Sequence, residues 1–386
     1  VTDRAAPGSP VPAADPARRS PAPRLPEPPV AVPDAAARPT AAPPARTAPP
    51  APTGVRDRRA ADAEPAGAVG WIRLAAVATV LLLAVAAAVA IVVDAGPPSE
   101  QQLIEKAGLV GKRELLVGVK DDQPGLALRD PVTGHYSGFD IDIAYLVAAD
   151  LGFRPDEVRF LSIESEDRAK MQASTGTGFA TVDLVVASYS ITPAREALPQ
   201  VSFSAPYLYT EQSVITLTGH RPVRSLADLR GERVCTIATS TSQSPAVLAG
   251  DVVDSRNRIS DCVAGLRRGE FAAVTTDAAI LAGYVAKDRA HLRHYDIGLD
   301  GQEAYGINTG GNEALRTLVN LALYRSLHDP RDRRWEDAFN RWLLPEQAAN
   351  LPQQVAIDRQ PDVPPVPVRQ WPWQSALGRP PGRWEP

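Results

Sequence analysis

The longest unbroken pattern in the chain is apolar. From Leu74 to Val93 every position is hydrophobic or alanine except Thr79, and none carries charge. A helix needs about 20 such residues to cross a bilayer, so a single transmembrane helix is expected over 71–94. Beyond it the pattern shortens and alternates. Runs rich in β-branched residues at 115–119, 182–187, 214–217, 233–237 and 271–276 read as buried strands. Between them lie helical patterns. Apolar residues at 141, 143, 144, 146, 147 and 151 share one face of a helix that ends at Gly152. Further helices are expected over 278–285, 315–327 and 334–344. Strands alternating with helices, in two sets, predict an α/β protein with two lobes, and ligands of such sheets bind at the carboxyl ends of the strands.

Composition sharpens the boundaries. The 38 prolines of the 386-residue chain crowd before Ala66 and after Leu344. The first 70 residues hold too little apolar surface to offset chain entropy and are expected to be disordered. A linker is expected over 95–112, a solute-binding domain over 113–346, and a Pro-rich tail over 347–386 that carries Trp371, Trp373 and Trp384. Arg56, Arg58, Arg59 and Arg73 precede the apolar run, while Asp94, Glu100 and Glu105 follow it. The positive-inside rule then puts the N-terminus in the cytoplasm and the domain outside a cell membrane crossed once. A cleaved secretory signal is the other reading. The net charge of −4 with mixed signs offers no footprint for nucleic acid. Cys235 and Cys262 are the two cysteines; outside the cell they are expected to form a disulfide, the alternative being two buried thiols.

The candidate chemistry lies in ordered blocks: Lys120-Asp121-Asp122-Gln123-Pro124-Gly125-Leu126, Gly138-Phe139-Asp140-Ile141-Asp142, Val182-Asp183-Leu184 through Ser190-Ile191-Thr192-Pro193-Ala194-Arg195, Phe203-Ser204-Ala205-Pro206-Tyr207, and Ala273-Val274-Thr275-Thr276-Asp277, with Tyr305-Gly306-Ile307-Asn308 as a weaker sixth. In this order they resemble the extracytoplasmic solute-binding proteins of family 3, which serve polar amino-acid ABC transport. The form of the first block is most similar to the actinobacterial glutamate/glutamine-binding branch. The resemblance implies a type II periplasmic-binding-protein-like clamp, with lobe one at 113–212 and 304–346, lobe two at 213–303, and hinges near 211–214 and 303–306. It also implies that Arg195 holds an α-carboxylate, a task suited to the planar guanidinium fork. Ser188 and Ser190 would assist it. Asp277 would take the α-ammonium, with Thr276 beside it; the other reading of Asp277 is a cap for the following helix. Ser240 and Thr241 stand where the family has a Gly/Ser/Thr loop, here without glycine. Lys120 would select a side-chain carboxylate, the other reading being a lysine paired with Asp121 or Asp122 and blind to ligand. The family usually has an aromatic residue where Asp121 stands.

No Gly-x-Ser-x-Gly, His-Glu-x-x-His or phosphate-loop pattern occurs, so no enzyme, cofactor or metal is expected. An enzyme on the same fold would need an acid/base carboxylate, for which Glu164 and Glu166 are available. The expected function is therefore membrane-anchored binding of glutamate, then aspartate or glutamine, by a monomer that supplies an ABC permease. A sensor that signals through a membrane partner is the alternative.

Overall fold

The computed structural model describes residues 66–297, 301–351 and 353–369. Helix α1 (Ala66–Ala95) includes the apolar stretch. Its segment Gly70–Ile91 has a mean hydropathy of 2.8 and no buried side chain, so it is long and apolar enough to cross a membrane. The disorder expected over 1–70 does not extend to its last five residues, since α1 starts at Ala66; the rest of that stretch, and Trp371, Trp373 and Trp384, fall outside the described residues.

The stretch expected to be a plain linker is partly ordered. Helix α2 (Glu100–Lys106) starts with a capping box in which Ser99 and Gln102 satisfy each other's backbone N–H groups. Leu103 buries its side chain, and Glu100 accepts two hydrogen bonds from Arg325.

Strands β1 (Leu115–Val119), β2 (Asp122–Gln123), β3 (Ala127–Arg129) and β4 (Tyr136–Ser137) lead into α3 (Phe139–Asp150). Then come β5 (Val158–Ser162), β6 (Gln172–Ser174), β7 (Phe179–Thr181), β8 (Leu184–Val185) and the short α4 (Pro193–Glu196). The first main sheet has the order β7-β6-β5-β1-β8, with β1 parallel to both β5 and β8. The run at 182–187 is buried as expected, but only Leu184 and Val185 form a ladder. Gly138 starts α3 because nothing larger fits: at φ 135° a Cβ would lie 2.2 Å from the Leu126 carbonyl oxygen.

The second sheet is built from β9 (Leu208–Leu217), β10 (Arg233–Ile237), β11 (Val252–Arg256), β12 (Ala273–Asp277), β13 (Leu292–Asp296) and β14 (Gln302–Tyr305). Its order is β11-β10-β12-β9-β13, and β14 adds to β9. Helices α5 (Gln243–Ala249), α6 (Ile259–Arg267) and α7 (Ala278–Lys287) connect these strands. The chain enters the second sheet along β9 and leaves it along β14. The two run antiparallel, from Glu211 opposite Gln302 to Leu208 opposite Tyr305. Two α/β layers joined by a pair of crossing strands make the type II clamp.

Helices α8 (Glu313–His328) and α9 (Arg334–Ala349) return to the first layer. There α9 packs on α3, with Trp335 fully buried and its Nε1 donating to the Tyr207 carbonyl at 2.8 Å. Helix α9 continues through Pro345, where the sequence predicts a stop. The buried face formed by Trp335, Ala338, Phe339 and Leu343 outweighs the one backbone bond that proline removes.

Cys235 on β10 and Cys262 on α6 form a disulfide with Cα atoms 5.5 Å apart. Cross-links closing loops of this length restrict the unfolded chain by roughly 3–4 kcal/mol. The double variant Cys235→Ala, Cys262→Ala should therefore melt about 10 °C lower in a thermal scan. An unchanged melting temperature would remove the disulfide from the account of stability.

Candidate functional site

The strand ends of the two layers face each other across a small cleft. Gln123, Ser165, Arg168, Ser188, Ser190 and Arg195 line it from the first layer; Ile237, Ser240, Thr241, Thr276, Asp277 and Ile280 line it from the second. The room left between these side chains is about 10 Å³, enough for about one water. Every site residue expected from the sequence except Lys120 is in that lining.

Arg195 lies on the one-turn helix α4, whose cap is Thr192. Its Nη1 donates to the Ser190 carbonyl at 2.7 Å and its Nη2 to the Thr239 carbonyl at 2.9 Å, so the guanidinium spans the cleft. The charge stacks on the face of Tyr189 at 4.9 Å. A guanidinium carries five N–H donors, and these two bonds leave three for a ligand. Thr239 has φ 60°, the left-handed conformation that a glycine would otherwise supply in this loop.

Ser188 also has a positive φ, 46°. Its N–H donates to Asp140 Oδ2 at 2.9 Å, and its hydroxyl reaches Gln123 Oε1 at 2.7 Å. Asp140, wholly buried, also accepts from the Tyr207 hydroxyl at 2.9 Å. Burial pushes the Asp140 carboxyl up to about 6, against the pull of these donors. The first acid of the Gly138–Asp142 block therefore shapes the cleft wall from behind, by fixing Ser188.

Asp277 ends β12 and precedes α7, but its side chain makes no capping bond. Its Oδ2 instead accepts from the Tyr305 hydroxyl. The cap reading is thus not what the geometry shows, and the carboxylate faces the cleft. Burial, then the charge of Glu303, push it up to about 7, while Tyr305, Arg195 and Arg168 pull it down.

Lys120 sits elsewhere. It is buried to 2 % exposure, does not line the cleft, and pairs with Glu164 at 3.5 Å. Desolvation lowers its pKa. Glu164 also faces Arg258 Nη1 at 3.6 Å, and Arg258 Nη2 meets Asp121 at 2.6 Å. Asp122 Oδ2 accepts from the Ser260 N–H at 3.0 Å, and the Tyr284 hydroxyl donates to the Asp122 carbonyl. The charged block at 120–122 therefore joins the first layer to α6 and α7. Asp121, where the family has an aromatic residue, is part of that ion-pair chain. Glu164, the acid an enzyme reading would use, is taken up in it too.

A second cation that lines the cleft beside Arg195 is Arg168, which sequence reasoning missed. Its Nε donates to the Ser165 carbonyl, and its Nη1 to the Ala187 and Ser188 carbonyls at 3.1 and 2.9 Å. It stacks on Tyr189 at 4.4 Å, so that two guanidiniums share one ring. Burial, then the charge of Arg195, push Arg168 down to about 10. A signal was present: Arg168 follows β5, a parallel neighbour of β1, so the strand-end rule points to its loop as well. Gln123 stands in the first candidate block, three residues after Lys120, whereas Ser165, Ile237 and Ile280 had no comparable signal of charge or motif.

This geometry has relatives. Residues 115–344, more than half of the chain, match the family of bacterial extracellular solute-binding proteins, family 3. The chain belongs to this family. As a family 3 solute-binding protein it is a binder and not an enzyme, in keeping with the ion-paired Glu164. A glutamate-binding protein, GluB, of Corynebacterium efficiens is 33 % identical over 225 residues, covering 55 % of this chain and 74 % of the relative. The ABC transporter glutamine-binding protein GlnH of Bacillus subtilis is 27 % identical, covering 63 % of this chain and 85 % of its own. Among solved structures, an ancestral arginine-binding protein bound to glutamine is similar at 29 % identity and a TM-score of 0.52, covering 60 % of this chain and 97 % of that one.

Proposed function

We propose that this family 3 protein binds an acidic amino acid outside the cell, glutamate in preference to aspartate or glutamine, and supplies it to an ABC-type importer while anchored by α1. Arg195 takes the α-carboxylate with its remaining N–H donors, and Asp277 takes the α-ammonium. Ser188, Ser190, Ser240, Thr241 and Thr276 supply hydroxyls, and Ile237 and Ile280 pack on the aliphatic part. The observation that carries this reading is the charge of the cleft. Two guanidiniums, Arg168 and Arg195, face a single carboxylate, Asp277. A zwitterionic backbone uses one charge of each sign, so the second guanidinium is left for a side-chain anion. An unpaired charge in a closed cleft is costly, which favours a ligand that neutralises Arg168 and disfavours arginine or lysine. Kinship with proteins named for binding glutamate and glutamine supports the same class. Arg73 just before the apolar run Leu74–Val93 and Asp94 just after it support an N-terminus inside and a clamp outside.

Isothermal titration of the full chain in detergent with each of the twenty amino acids tests this. Glutamate should bind at least tenfold more tightly than glutamine, and arginine should not bind. Equal affinity for glutamate and glutamine would remove the role given to Arg168.

A further inference from the structure

The family match ends at residue 344, yet residues 353–369 pack against the domain. Residues 353–369 run back over the molecule as a strap, and their first contacts are with β9, one of the two crossing strands. Gln353 Nε2 donates to Glu211 Oε1 at 2.6 Å, the Thr210 hydroxyl donates to the Val355 carbonyl at 2.7 Å, and the Ile357 N–H donates to the Tyr209 carbonyl at 3.0 Å. Three consecutive hinge-strand residues are thus held by the strap, while β14 pairs with the same residues. Val355, Ala356 and Val363 bury their side chains in the main core, and Gln360 Nε2 donates to the Leu323 carbonyl of α8 at 3.0 Å. At its far end the Arg369 N–H donates to the Pro98 carbonyl at 2.9 Å, three residues after the end of α1.

Thr210 links this strap to the binding cleft. Besides donating to Val355, its buried hydroxyl accepts from the Ala279 N–H at 3.1 Å. Ala279 lies in the first turn of α7, two residues after Asp277. One hydroxyl therefore joins the strap, the hinge strand and the turn that aims the cleft carboxylate.

We propose that residues 353–369 are a hinge strap, and that Thr210 is a positioning residue through which the strap sets the attitude of α7 and of Asp277. The part that concerns Asp277 rests on the reading that Asp277 receives the ligand's ammonium. Hinge closure is absorbed by φ/ψ changes in a few residues of the crossing strands. A third segment bonded to three of them in a row must move with the hinge or break its bonds. It narrows the range of hinge angles and favours the arrangement in which the cleft residues converge, lowering the ordering cost of binding. Because the strap ends beside the base of α1, the hinge is tied to the membrane anchor as well as to the clamp.

The test uses the full chain in lipid nanodiscs and two variants that leave the cleft lining unchanged. Ile357→Pro removes the strap's N–H to Tyr209 and touches neither ligand nor α7. Thr210→Val removes both bonds of the hydroxyl at constant shape, with Thr210→Ser as its rescue. Ile357→Pro and Thr210→Val should each raise the glutamate Kd by about tenfold, mainly through faster release, and Thr210→Ser should restore it to within about twofold. Hydrogen exchange without ligand gives an independent readout. In Ile357→Pro the Ala279 amide should exchange at least tenfold faster, although the substitution lies on the strap. Unchanged exchange at Ala279 in that variant would overturn the proposal, whatever the ligand. Failure of the unaltered chain to bind glutamate would instead overturn the proposed function, and the exchange arm would still decide on the strap.

Discussion

Arg195→Ala is expected to abolish measurable glutamate binding, with a loss of at least a hundredfold in isothermal titration. Three contributions disappear together. The ligand carboxylate loses a charge-assisted fork, worth about 3 kcal/mol on its own. The bond from Arg195 Nη2 to the Thr239 carbonyl is lost, and it is one of the few that span the cleft. The charge stacked on Tyr189 goes as well. Arg195 is only partly buried, so the fold should survive, and an unchanged thermal melt without ligand checks that. Arg195→Lys should recover only a fraction of the affinity, because an ammonium cannot hold Ser190, Thr239 and a carboxylate in one plane. Binding by Arg195→Ala within tenfold of the unaltered chain would move the carboxylate site elsewhere.

The second large effect is on pH. Burial and the charge of Glu303 hold the Asp277 carboxyl at about 7 in the unliganded cleft. An ammonium bound beside it favours the ionised form, so the bound state lowers that pKa and ligand binding releases a proton. The sign follows: affinity is full above pH 7 and falls as pH drops through 7. Between pH 8 and pH 6 the Kd for glutamate should rise by roughly tenfold, because neither the ligand's side-chain carboxylate nor its ammonium titrates in that window. Asp277→Asn should bind far more weakly and show a flat profile over the same range. Equal affinity at pH 6 and pH 8 would detach Asp277 from the ammonium. His294 does not confuse the result, since burial pushes it down to about 4 and it stays neutral throughout.

Much of the clamp was legible because its signals are local and strong. The run Leu115–Val119 and the helix Phe139–Asp150 are where their apolar residues put them, although the helix is buried around most of its circumference and not along the one face its pattern suggests. The short strands β6 and β7, at one side of the first sheet, left no such signal. They are two three-residue elements whose side chains are largely half-exposed or exposed.

The site divides in the same way. Arg195 and Asp277 line the cleft as the sequence expects, because one fixed block carries Asp277 to the end of β12 and another carries Arg195 to the one-turn helix after β8. Lys120 sits in such a block too, yet whether a strand-end side chain turns into the cleft or away from it depends on what packs behind. Here Glu164 and Arg258, 44 and 138 residues away in sequence, draw the 120–122 charges into a junction between the layers. Arg168 enters the cleft because three backbone carbonyls, two of them from the loop after β8, hold its guanidinium there.

The sequence by itself determined the apolar span, the α/β character of the domain, the two-set order of its elements and the residue types at its strand ends. All of these follow from periodicity and from blocks read within a few turns of the chain. Only the tertiary structure decided which cation faces the cleft, that Asp277 does not cap its own helix, and that the Pro-rich segment after α9 is laid across the hinge. Each of these depends on pairings between residues far apart in sequence, and the burial that makes a charge or a hydrogen bond matter exists only after the layers have closed on one another.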